Sequence, residues 1–397
     1  MNLKINVRKP VLAIAFVFLG YFLSLSTVPR SEAMIGGLMP PSGLCAADPY
    51  SGQDGCAGAN PNSTKQIASL LNGYTATPAW WSAGVKYPVS YYTPLASLTE
   101  CNSSSCPGLP ACAATGSSGG NNYVLIASAP CTLSGYHFDG VCVGWNVSSG
   151  IVTITDNLFT VSASCNPAGE NYIGYPNAGS ETGTQNVIFT FNEIDQTYTQ
   201  NDSSNVSFVA TFDGGTATVE YNWAHNGYGN VFRFDCGNSS CSATEAFNLI
   251  TDFGGSTSHS DGQYFDGSSG TAYAININYN TISYQNPSTA AGTSPLNPVS
   301  QISANLIQVA ANIENNTVIV NTSGGPGAWG GATVYCCATG YGPSGTNITN
   351  NFVDNRGQLE FMYSNATFGA VSSTCHGNVN MNDGTTITQT LAAFSCN

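Results

Sequence analysis

Two of the chain's four histidines, His225 and His259, fall between Tyr221 and Asp266, a stretch that also holds Arg233, Asp235, Asp261, Gln263 and Tyr264. Imidazole and carboxylate groups are the usual proton carriers near neutral pH, and a guanidinium can hold a fixed or developing negative charge. His259 and Asp261 stand at i and i+2, so on a strand they share a face, and Arg233 and Asp235 stand in the same relation. The separation of His225 from His259 is close to one period of the repeat described next, which predicts neighbouring rungs of one face. The set reads as a catalytic group of His259, Asp261, His225 and Arg233, with Tyr264, Gln263, Asp235 and Asp266 binding substrate. The competing reading is local. Asp261-Gly262 is a turn dipeptide, and His259 can simply bond its own loop. Glu193, Asp195 and Glu220 form a carboxylate group suited to a calcium ion or a hydrolase pair, although acids on a solvated face more often serve solubility.

What must position these residues is a repeat. Asparagines at 157, 192, 222, 280, 316, 351 and 378 each follow or sit within a short run of strand-forming residues, such as Val152-Thr153-Ile154-Thr155 and Val187-Ile188-Phe189-Thr190. Their steps are alike except for that from Asn222 to Asn280, which is about double and predicts one degenerate copy near Phe247-Asn248-Leu249. Strand and turn returning at such a period mark a solenoid. Asparagine tolerates the left-handed backbone of a sharp corner. Stacked about 4.8 Å apart, such asparagines can also hydrogen-bond in a ladder.

Composition limits the fold and its partners. Only 8% of the 397 residues are charged, against abundant Gly, Asn, Ser, Thr and Tyr, which suits strands and turns rather than helices. Lys4, Arg8 and Lys9, the apolar run from Val11 to Val28, and Ser31-Glu32-Ala33 predict a signal peptide over 1–33; an uncleaved anchor is the alternative. Residues 34–120 are rich in Pro, Gly, Ala and Cys and predict an N-terminal cap region, with Lys65 to Leu71 as a turn or two of helix. The cluster Trp80, Trp81, Tyr87, Tyr91 and Tyr92 there suits cap packing or a sugar-stacking platform. Residues 121–397 predict the solenoid itself. All 14 cysteines follow residue 33, and an even count in an exported chain predicts disulfides, with Cys101/Cys106 and Cys236/Cys241 as local loop staples. No cysteine or histidine spacing supports zinc. Without residues 1–33 the chain carries 21 acids against four bases (Lys65, Lys86, Arg233 and Arg356), a net charge of −17. That balance excludes nucleic acid, and it repels polyanionic sugars unless metal ions bridge them.

The segments Ser82-Ala83-Gly84-Val85-Lys86-Tyr87-Pro88, Pro94-Leu95, Val152 to Asn157 and His259-Ser260-Asp261-Gly262-Gln263 resemble secreted right-handed parallel β-helix proteins of the pectate-lyase-like superfamily. The resemblance implies an all-β, right-handed parallel β-helix with a disulfide-rich N-terminal cap, and an extended polysaccharide as ligand. It does not choose a reaction, because this fold carries many. The expected function is a secreted or cell-surface protein that binds and cleaves an extracellular polysaccharide, with no membrane contact once the signal is removed. A lyase would lean on calcium, since Arg233 is the one well-placed cation, whereas a hydrolase would need two carboxyl groups. A non-catalytic adhesin or glycan-binding structural protein is the alternative. Ten Asn-x-Ser/Thr sequons, from Asn62 to Asn365, matter to it only in a glycosylating host.

Overall fold

The structure, a computed structural model, describes residues 70–78, 95–118, 121–145, 147, 149–160, 171–174, 186–196, 206–212, 214–226, 230–236, 241–253, 263–267, 272–284, 296–297, 308–320, 332–335, 347–354, 360–363, 374–391 and 394–397. The predicted signal peptide, most of the predicted cap including Trp80 to Tyr92, and His259 and Asp261 lie outside these residues.

The alternation of β-branched and aromatic residues with polar ones makes short strands, and the chain lays them on three sheets in turn. Sheet I collects nine strands, among them Cys131–Ser134, Ile151–Thr155, Asn186–Thr190, Thr216–Glu220 and Cys241–Ala246. Each is followed by a strand of sheet II, such as Leu158–Thr160, Glu193–Asp195, Trp223–His225 and Leu249–Phe253, and then by one of sheet III, such as Asn230–Cys236 and Gln263–Gly267. Strands in the same position of successive turns pair in parallel, as Thr153 does with Ile188 and Ile188 with Thr218. This is the expected all-β parallel β-helix, and the general preference of parallel crossovers gives the hand as right. Within the stack of turns one strand departs from it, apart from the N-terminal hairpin of sheet III. Asn171–Gly174 enters sheet III antiparallel to both its neighbours, Cys142–Trp145 and Val206–Phe212, since a strand edge accepts either direction.

The interior is a stack of like residues. On sheet I, Leu133, Ile154, Phe189, Val219, Ile277, Ile313 and Ile348 occupy one inward column, each at most 1% exposed, interrupted by Glu245, which is also fully buried. The rings of Phe138 and Phe159 stack at 5.0 Å. At the N-terminal end, Ala113–Ser118 and Asn121–Ile126 form a hairpin. At the C-terminal end, Gln389–Leu391 and Phe394–Cys396 form another. Disulfides join Cys101 to Cys106, Cys112 to Cys131 and Cys375 to Cys396; Cys142 and Cys241 are disulfide-bonded as well. These bonds belong to an oxidising environment. Among the described residues no helix is long and apolar enough to cross a membrane.

The ladder forms, with one more rung than the seven framed copies. Asn248 supplies the copy expected near Phe247-Asn248-Leu249 in the long step from Asn222 to Asn280, and it is a complete member rather than a degenerate one. Its Nδ2 donates to Val219 O and Asn280 Oδ1, and its Oδ1 accepts from the N–H and Nδ2 of Asn222. The eight rungs are at most 1% exposed. Both hydrogens and both lone pairs of an interior amide are used, so a polar residue is buried without loss. The left-handed residue of each corner is a different one from that expected. It is the residue before the asparagine: Asp156, Phe191, Tyr221, Phe247, Tyr279, Asn315, Asn350 and Gly377, with φ between 56° and 68°. The asparagine turns the corner by hydrogen bonding, and its neighbour carries the unusual backbone. Four of those neighbours are aromatic, and they stack in file along the outside of the corner: Phe191 on Tyr221 at 5.1 Å, Tyr221 on Phe247 at 5.0 Å and Phe247 on Tyr279 at 4.9 Å, with planes within 12°.

Candidate functional site

The polar groups of sheet II gather around His225. On Trp223–His225 the first and third residues project to one side, and the indole and imidazole rings stack at 3.9 Å. The previous rung supplies Glu193 and Asp195. His225 Nε2 meets Glu193 Oε1 at 3.1 Å, and its Nδ1 lies 3.8 Å from Asp195 Oδ1. Asn226 Nδ2 donates to Asp195 Oδ1 at 2.9 Å and reaches His225 Nδ1 at 2.8 Å. These contacts fit the tautomer in which Nε2 carries the hydrogen given to Glu193 and Nδ1 accepts from Asn226. Both ring nitrogens are thereby engaged, and a proton-transfer role would require Asn226 to leave. Side-chain exposures of 10% for His225 and 5% for Glu193 agree with a clip between rungs rather than an open base.

Residues from the predicted cap region cover this face. Leu70 and Leu71 pack on Trp223 and Leu249, the Tyr74 hydroxyl donates to Asp354 Oδ2 at 2.6 Å, and the N–H groups of Thr75 and Ala76 both reach Met381 O. Trp223 Nε1 finds Thr251 Oγ1 on the next rung at 2.9 Å. The outer side of sheet II is therefore an interior surface along much of its length.

The structure divides the remaining sequence candidates. His225 is in register with Thr251 on the next rung, while His259 and Asp261 lie outside the described residues. Arg233 lies on sheet III between the fully buried Phe232 and Phe234 and is itself partly exposed, away from the His225 sheet. The register sets Arg233 opposite Tyr264, Asp235 opposite Asp266, and Gln263 opposite Phe232. Glu220 is on sheet I, aligned with Thr190 and Ala246, and does not join Glu193 and Asp195. Among the described residues no group of three or more His, Cys, Asp or Glu could hold a metal ion.

Among the described residues an open surface runs along sheet I, and of those candidates only Glu220, at its margin, stands on it. On the outer side of sheet I, Thr132, Thr153, Ile188, Thr218, Thr244, Asn276, Asn312, Asn347 and Thr374 align one per rung across nine strands. At the usual strand spacing the column is about 38 Å long. Neighbours are tied sideways: Asn312 Nδ2 donates to Asn276 Oδ1 and Asn347 Nδ2 to Asn312 Oδ1, each at 2.8 Å. In flanking columns Thr216 Oγ1 donates to Asn186 Oδ1 at 2.7 Å, and Ile151 is 46% exposed. The signal for this face is present in the sequence at a fixed offset, one helical-corner length before every ladder asparagine, as Thr153 precedes Asn157 and Thr218 precedes Asn222. No protein-family model, curated protein or solved structure matches the chain.

Proposed function

We propose that the protein is a secreted β-helix of the pectate-lyase-like kind that holds a neutral extracellular polysaccharide along the outer face of sheet I. The observation that carries this reading is the uncharged column from Thr132 to Thr374, exposed or half-exposed over its whole length. A flat file of hydroxyl and amide groups, interrupted by Ile188 and tied by its own hydrogen bonds from Asn276 to Thr374, offers donors and acceptors along its rungs to a polymer of hydroxyls. Side-chain ordering costs little there because the backbone and the ties have already met it. The net negative charge and the absence of a cation from the column disfavour uronate or sulfated chains.

Cleavage is the second reading. It draws on the meeting of Glu193, Asp195 and His225, and on Arg233 with its register partner Tyr264. Incubation with neutral and acidic polysaccharides, with and without calcium, separates the two. Protein depleted onto a neutral polymer, with no new reducing ends, is the result expected for binding. New reducing ends without an unsaturated product would establish hydrolysis, and new reducing ends with an unsaturated product that needs calcium would establish β-elimination. Failure to be depleted by any polymer would remove the proposal.

A further inference from the structure

A separate cleft lies at the N-terminal end, lined by none of the residues of the sheet I column. It has a volume of about 390 Å³ and lies between the loop that follows Cys101 and the hairpin of Ala113–Ser118 with Asn121–Ile126. One wall is rigid for three reasons. The Cys101–Cys106 disulfide closes it, Asn102 Oδ1 accepts from the N–H groups of Ser104 and Ser105 at 2.9 and 3.1 Å, and Asn102 N–H donates to Ser105 O at 2.9 Å. The other wall is the paired hairpin, in which Gly116 stands opposite Tyr123.

That pairing is what forms the floor. The Tyr123 ring lies flat against the Gly116 backbone, so closely that a Cβ there would come within 2.5–2.7 Å of Tyr123 Cζ, Oη and Cε2. Only glycine lets the ring lie down. The phenol and Val141 give the cleft an apolar base, while Asn102, Ser104, Thr115 and Ser117 give it amide and hydroxyl walls, with no charged residue among its lining. An aromatic plane ringed by neutral donors and acceptors matches a sugar ring, which has an apolar C–H face and a hydroxyl rim. The volume is at the lower end of the roughly 300–1,000 Å³ of small-ligand sites, which suits a short saccharide or a chain end rather than a passing polymer.

We propose that this cleft binds a neutral oligosaccharide, with Tyr123 as its stacking platform and Gly116 as the residue that lays the platform flat. The ligand class rests on the polysaccharide reading above, but the surface is separate from sheet I, so the two can fail independently. Asn102 begins an Asn-Ser-Ser sequon, and a glycan there would compete for the same space. The test therefore uses full-length protein made without N-glycosylation, with neutral gluco-, xylo- and manno-oligosaccharides as probes, binding read by calorimetry and folding by thermal unfolding. Tyr123→Ala should weaken binding of at least one probe by about tenfold or more, and Tyr123→Phe should retain most of it. Gly116→Ala keeps the phenol but displaces the ring, whose free end can yield, so it should reproduce the loss at a nearly unchanged unfolding midpoint. Ser395→Tyr, exposed on the C-terminal hairpin, should leave oligosaccharide binding intact. Binding unaltered in both Tyr123→Ala and Gly116→Ala, or no binding of any probe by the natural chain, would overturn the cleft without touching the sheet I proposal.

Discussion

Replacing Asn248 by alanine is expected to destabilise the protein by about 2–6 kcal/mol, because two buried groups lose their Asn248 partner at about 1–3 kcal/mol each. The groups are the N–H of Asn222 and Val219 O, while Asn222 Nδ2 keeps Phe189 O and Glu220 O, and Asn280 Oδ1 keeps the N–H of residue 248. The same substitution at Asn276, on the half-exposed outer column, breaks one bond that water can replace and should cost less than about 1 kcal/mol. Urea unfolding of both variants checks the contrast. Equal and small losses would mean that the interior ladder adds nothing beyond its strands.

The aromatic file makes a second prediction, in which a larger deletion does less harm than a smaller one. Phe247 has φ 56° and touches Tyr221 on one side and Tyr279 on the other. Phe247→Ala removes two stacked pairs at about 0.5–1.5 kcal/mol each and leaves a residue with a Cβ in the left-handed region, for a loss of about 1–3 kcal/mol. Phe247→Gly removes the same pairs but relieves a backbone cost of about 1 kcal/mol, so it should be the more stable of the two. Centroids near 5 Å, against ring contact near 3.5 Å, indicate offset stacking, the favourable arrangement. Alanine more stable than glycine at this position would show that the corner backbone is not strained.

The same corner explains what could be read from the chain and what could not. The parallel β-helix is legible because each turn repeats two constraints: inward residues such as Ile154, Phe189 and Val219, and an asparagine that nothing else replaces at the ladder. Asn248 is legible in place but reads as degenerate because its approach strand, Cys241–Ala246, lacks the run of large apolar residues that frames the others. The left-handed position is obscured because Phe and Tyr are the last residues expected at positive φ; stacking from rung to rung is a tertiary effect that single-residue preference does not contain. At the candidate site, residue spacing is a poor measure of one turn because turns differ in length, and the position one rung on from His225 is Thr251. The turn from Asn222 to Asn248 is shorter than the one from Asn192 to Asn222. The meeting of His225 with Glu193 and Asp195 thus depends on register, not on spacing. The sheet I column needs the ladder first, because Thr153, Thr218 and Asn312 look ordinary until each is counted back from its asparagine.

The role of sheet I can be tested directly by blocking the face at its middle. Thr218 lies between Ile188 and Thr244 in the column, and a tyrosine there would stand above the flat surface without entering the core. Affinity of Thr218→Tyr for the neutral polysaccharide that the natural chain binds, beside Thr99→Tyr on the edge strand of sheet II, is the decisive comparison. The account predicts a loss of about tenfold or more, about 1.4 kcal/mol, for Thr218→Tyr, none for Thr99→Tyr, and the same unfolding midpoint for all three proteins. Undiminished binding by Thr218→Tyr would contradict it.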